Sequence, residues 1–152
     1  MNTFADTSLL CALYREQDNS RQADQLMQRE SAPVHVSSLV LFEFRQSVRL
    51  QAFRFSRGRT QGYSKTEAHR MLETLQANII AAGRLVISPV DDWARVYSIA
   101  EELSAQFTMQ AGHRSFDVLH VATALHLGAG HFLTFDVRQA TLAKAAGLRV
   151  KP

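Results

Sequence analysis

A single cysteine, Cys11, stands in a chain of 152 residues and has nothing within the chain to pair with. An internal disulfide is excluded, and a reducing cytoplasm is the expected setting. No run of about 18 apolar residues occurs, so no membrane span is expected. The amino terminus lacks a basic segment followed by an apolar one, so no signal peptide is expected. Repeats, low-complexity tracts and linkers are absent too. A chain of this length without a linker reads as one compact domain, residues 1–152, with a real core. Acidic residues are nearly missing from 45–70, where Arg45, Arg49, Arg54, Arg57, Arg59, Lys65 and Arg70 face only Glu67. That segment carries +6 of a net +3, leaving the remainder at −3. A polyanionic partner is one explanation; a solvated helical face is the commoner origin of such a run.

What is present alternates between short apolar runs and helical periodicity. Strands are expected at 3–6, 34–37, 84–88 and 131–135, with a last edge strand at 148–150. Helices are expected at 7–17, 20–30, 38–56, 64–82, 92–110, 115–128 and 137–146. The two helices at 38–82 form a hairpin joined by the basic turn "SRGRTQGYS". Ser64 and Glu67 have capping-box spacing at the second start. Strand–helix alternation of this kind predicts an α/β protein, a parallel sheet covered on both faces. In such sheets, sites lie beyond the carboxyl ends of the strands where the strand order switches.

Two of those strand ends deliver an acid. "NTFAD" runs into Asp6 and "HFLTFD" into Asp136, each followed by a helical pattern. Either alone reads equally well as a helix N-cap. Asp117 is harder to dismiss. It sits in the first turn of "SFDVLHVATALHLG", apolar almost all round and so fit for the interior. Burying an unpaired carboxylate costs several kcal/mol or shifts its pKa. Compensation would come from the helix N-terminus with Ser115 as cap, from Arg114, or from a metal ion. Glu43 is the fourth, the only acid on its helix, flanked by Leu41, Phe42 and Phe44. Should the four converge, a hard divalent cation would relieve their repulsion, and carboxylate oxygens suit Mg²⁺ or Mn²⁺ better than zinc. His113, His120, His126 and His131 match no zinc spacing. His120, at i+3 from Asp117, reads first as a hydrogen-bonded core histidine and second as a support behind the acids.

The motifs "FADTSLL", "LVLFEFRQ", "RSFDVLHVATAL" and "FLTFD", in that order, resemble a PIN domain over essentially the whole chain. The run Asp117, His120, Ala122, Ala124 is the most specific of them. Within that superfamily the chain is most similar to the VapC-type toxin ribonucleases of bacterial toxin–antitoxin pairs. The resemblance implies a three-layer α/β/α sandwich with a mainly parallel central sheet. It implies a Mg²⁺- or Mn²⁺-dependent endoribonuclease leaving 5′-phosphate and 3′-hydroxyl ends. Asp6, Glu43, Asp117 and Asp136 then fall on the metal-binding, catalytic positions, with Ser8 and Thr134 as supporting hydroxyls. A homodimer and a small antitoxin partner are implied as well.

On this reading Arg114 contacts a substrate phosphate or pairs with Asp117, and Arg45 and Arg49 belong to the basic stretch that guides the RNA. An exposed loop of a structured RNA is the favoured target, because unpaired bases can be splayed out and read. Phe53, Phe55 and Tyr63, interleaved with arginines, suit base stacking and equally a protein interface; the resemblance favours the interface. An aspartyl-phosphate enzyme is a poor rival, since Ser8 stands where the haloacid-dehalogenase pattern needs a second Asp. A catalytically silent module that binds RNA or protein is the remaining alternative.

Overall fold

The computed structural model describes residues 3–81 and 83–152, and position 82, the expected end of the hairpin, lies outside them. Five three-residue strands form one sheet: β1 (Thr3–Ala5), β2 (Val34–Val36), β3 (Leu85–Ile87), β4 (His131–Leu133) and β5 (Arg149–Lys151). Their order is β3-β2-β1-β4-β5, and every neighbouring pair is parallel. The sheet is thus wholly rather than mainly parallel, and β5 is the expected edge strand.

The chain first steps from β1 to β2 to β3 in one direction. It does so through α1 (Thr7–Tyr14), α2 (Ser20–Arg29), α3 (Ser38–Ser56) and α4 (Lys65–Ala81). It then jumps to the far side of β1 and continues outward, through α5 (Trp93–Leu103), α6 (Met109–Ala111), α7 (Ser115–His126) and α8 (Val137–Ala145). Right-handed crossovers place helices on opposite faces when the direction of winding reverses. Accordingly α1, α3 and α4 pack on one another, while α7 packs on α5 and α8. The result is an α/β/α sandwich. Its centre is β1, fully buried, with Phe4 stacked on Phe132 of β4 at 6.0 Å between ring centroids.

Local chemistry sets most boundaries. The buried positions of α3, namely Val40, Leu41, Phe44, Val48 and Ala52, recur every three or four residues, which turns one stripe inward. Ser37 caps its start, its hydroxyl accepting from the Val40 N–H at 3.3 Å. The capping box of α4 is reciprocal, with Ser64 Oγ accepting from Glu67 N–H and Glu67 Oε2 accepting from Ser64 N–H.

Three expectations need correction. The helix expected at 7–17 ends at Tyr14, where Arg15 turns extended. The helix expected at 92–110 widens into a π-helical segment at Ser104–Thr108 before α6. The cap of α7 is Arg114, without a side-chain cap bond; Ser115 is already helical.

Candidate active site

The strand order reverses between β1 and β4, and their carboxyl ends stand side by side: Asp6 N–H donates to the Leu133 carbonyl at 3.2 Å. A crevice opens beyond such a switch point because the flanking connections leave in opposite directions. Here it is a cleft of about 330 Å³ whose walls include Asp6, Glu43, Asp117 and Asp136. All four acids singled out in the sequence therefore reach one cavity from four separate elements.

Asp6 is the N-cap of α1 and only 2% exposed. Its Oδ1 accepts from Ser8 Oγ at 2.6 Å and from the N–H groups of Ser8 and Leu9 at 3.0 and 3.2 Å. Its Oδ2 accepts from Thr134 Oγ1 at 2.6 Å. The hydroxyls of Ser8 and Thr134 thus both bond Asp6. Burial nevertheless outweighs these bonds and pushes the Asp6 carboxyl up to about 6.

Glu43 points from α3 toward α7, where its Oε2 accepts from His120 Nε2 at 2.6 Å and from the Thr7 hydroxyl. Burial acts to raise its pKa. The bonds from His120 and Thr7, with the charges of His120 and Arg114, outweigh burial and hold it below the usual carboxylate range. His120 is 1% exposed and stacked on Phe116, a buried histidine bonded to Glu43. Thr7, which the sequence reading passed over, completes this pair.

Asp117 and Asp136 are joined by Arg114. The guanidinium donates through Nε to Asp117 Oδ2 at 3.1 Å and through its terminal NH₂ group to Asp136 Oδ2 at 3.2 Å. Asp136 also caps α8, accepting from Arg138 and Gln139 N–H through Oδ1. Gln139 is a second residue missed in the sequence; it is buried beside Asp117 and lines the cleft. Its spacing of i+3 from Asp136 was the only available signal. Arg45 and Arg49, expected in the basic stretch that guides the RNA, lie outside the lining of this cleft. Arg45 donates to Gln76 at 3.1 Å across the hairpin, and Arg49 lines a different groove.

An all-carboxylate lining suits a hard divalent cation. Among the described residues, though, no three His, Cys, Asp or Glu side chains stand close enough to share an ion. Positive charge in this arrangement comes from Arg114, and the Asp6 oxygens are taken up by hydroxyls and N–H groups. The donor chemistry fits such an ion, and Arg114 bridges two of the acids across the cleft.

The PIN domain family model matches residues 3–145. No curated protein matches the chain in sequence. Among solved structures, VapC20 of Mycobacterium tuberculosis, a sarcin-ricin loop cleaving toxin, superposes with a TM-score of 0.68 at 18% identity, covering 99% of this chain and 100% of the other. FitAcB from Neisseria gonorrhoeae gives 0.60 at 18%, covering 99% and 96%. VapBC2 from Rickettsia felis, bound to a DNA fragment from its promoter, gives 0.61 at 17%, covering 99% and 98%. These likenesses, over the full length of the chain, show the same fold, and the family match over residues 3–145 places the chain in the PIN domain family.

Proposed function

We propose that this protein is a divalent-metal-dependent endoribonuclease, the toxin of a toxin–antitoxin pair. The observation that carries this reading is the meeting of Asp6, Glu43, Asp117 and Asp136 around one cleft at the strand-order switch. Four carboxylates lining one small cleft raise its negative potential, and a site that keeps them all suits a cation that draws them together. These four would hold Mg²⁺ or Mn²⁺, which when bound supplies Lewis acidity to make water a nucleophile near neutral pH and to offset charge on the phosphoryl oxygens.

The chain's own groups do the remainder. Ser8 and Thr134 fix both oxygens of Asp6, and His120 and Thr7 fix Glu43, so neither carboxylate has to reorganise during a turnover. Arg114, largely exposed at the cleft mouth, releases Asp117 and Asp136 and turns its fork to a phosphate of the incoming strand. No serine, cysteine or histidine is needed as nucleophile.

An RNA with an exposed loop is the favoured substrate, in keeping with the sarcin-ricin loop specificity of the VapC20 neighbour. A cognate antitoxin and a homodimer are part of the reading; the neighbours include VapBC and FitAB complexes. One observation favours a second reading, a silent binding module: among the described residues no three acids stand close enough to share an ion, and Arg114 bridges two of them.

Cleavage of total RNA by the purified protein, freed of any partner, separates the two. Discrete fragments are expected with Mn²⁺ or Mg²⁺, absent with excess chelator and absent in Asp117→Asn. Fragments that persist in the variant, or none from folded protein, would overturn the nuclease assignment.

A further inference from the structure

A second concavity, of about 530 Å³, lies between α3 and α4, away from the acids. Its floor is Ala52 and Ala68, short side chains that leave the space between the helices open. Its rim carries Arg49, Arg57, Lys65 and His69, and no acidic residue lines it. Among the described residues none of these four side chains makes a hydrogen bond or ion pair, whereas the Arg45 guanidinium, one turn earlier on α3, is tied to Gln76. Three fixed positive charges and a ring N–H are thus gathered at one groove with no internal anion to neutralise them.

Phe53 projects into the same groove at 54% exposure, with the Arg57 guanidinium 5.5 Å from its ring centroid. The structure separates it from the other two aromatics of this stretch. Tyr63 is half-buried against Arg15, and Phe55 sits against the turn at Gly62. An open aromatic face among unpaired cations is the combination that binds single-stranded nucleic acid, the ring stacking a base and the cations meeting phosphates. An acidic protein segment could also meet the cations and pack on the ring, but it would give neither a salt slope set by phosphate contacts nor binding to an unstructured oligouridylate. Position adds to the argument. Phe42, Arg49 and Phe53 follow one another at spacings of seven and four along one side of α3, and Phe42 adjoins Glu43. At 1.5 Å per residue, the groove spans roughly 9–21 Å along α3 from Glu43, the reach of a few nucleotides.

We infer that the α3–α4 groove is an RNA-binding exosite, holding a single-stranded stretch of the substrate by phosphate contacts from Arg49, Arg57 and Lys65 and by a base stacked on Phe53. The inference rests on the nuclease reading for its substrate but not for its test. Fluorescence anisotropy of a labelled oligouridylate is measured in excess chelator, where nothing is cut, across a range of salt concentrations. Arg57→Gln with Lys65→Gln is expected to weaken binding about tenfold at ~0.1 M salt and to lower the salt slope by about 1.4, two phosphate contacts' worth for a single strand. Phe53→Leu is expected to weaken binding about fivefold with the slope unchanged, since stacking releases no counterions. Arg21→Gln with Arg29→Gln on α2 removes equal charge elsewhere and should leave affinity within about twofold. All these positions are exposed, so melting temperatures should confirm that each variant folds. Equal losses in the two charge pairs, or no effect of Phe53→Leu, would overturn the exosite and leave the groove to a protein segment. RNA binding through the groove without cleavage would sink only the nuclease reading.

Discussion

Asp6 shows how one residue can serve a site at the expense of the fold. Its burial raises its pKa from 3.8 to about 6, although four bonds favour the ionised form. A folded-state value above the unfolded one means that the stabilising protonation is fully present below about pH 4 and is lost as pH rises through about 6. At pH 7 the ionised carboxylate is therefore a liability of roughly 3 kcal/mol at most, before the hydroxyl bonds that Asn would weaken are subtracted. Asp6→Asn should melt higher than wild type in chelator at pH 7.5, by about 5 °C, and the gap should close as pH falls toward 4.5. A variant that melts lower at both pH values would show that the hydroxyl bonds outweigh the burial. Glu43 offers the contrast. Less deeply buried, it stays ionised because the bonds from His120 and Thr7 outweigh its smaller burial.

Among the elements, the α3–α4 hairpin depends most on a single turn. The chain leaves α3 at Arg57 and re-enters at Lys65, passing Gly58 and Gly62 at φ of +84° and +134°. At Gly58 a Cβ would meet nothing, but at Gly62 it would stand 3.1 Å from both the Gln51 carbonyl oxygen and Phe55 Cβ. Gly62→Ala should then cost about 1–3 kcal/mol, and Gly58→Ala about 1 or less. Urea denaturation of the two variants checks the order; equal midpoints would mean that the turn relaxes. This hairpin was readable in the sequence because its causes are local: an inward stripe on α3 and a Ser64–Glu67 box. The π-helical widening at Ser104–Thr108 was not readable, since nothing in "SAQFT" breaks the helical period. The early end of α1 escaped for the opposite reason. Arg15 is a good helix former, yet here it turns out and sets its guanidinium beside the Tyr63 ring.

For the molecule as a whole, topology turned four scattered acids into one wall. Asp6 and Asp136 could be anticipated, because parallel strands deliver their carboxyl ends to the same edge. Asp117 and Glu43 stood out as acids in apolar helices. Arg114's double bridge was half visible, since its i+3 spacing to Asp117 can be read but its reach to Asp136 on another element cannot. A basic run does not say which of its members bond to a partner helix, as Arg45 does to Gln76. The bridge bears on the last question, whether the assembled wall takes a cation. A metal that binds only the folded state adds about 2.7 kcal/mol at a concentration 100 times its dissociation constant. For a domain of this size that corresponds to roughly 5–10 °C in melting temperature. Mn²⁺ should raise the wild-type melting temperature on this scale, chelator should reverse the rise, and Asp117→Asn should abolish it. Arg114 must let go of Asp117 and Asp136 first, so part of the gain is offset and the rise should be larger in Arg114→Gln than in wild type. A wild-type melting temperature indifferent to Mn²⁺, with Arg114→Gln responding, would mean that the bridge holds the site shut against the ion. Indifference in both would mean that the wall takes no cation and its acids are served by protein donors alone, and the silent-module reading would stand.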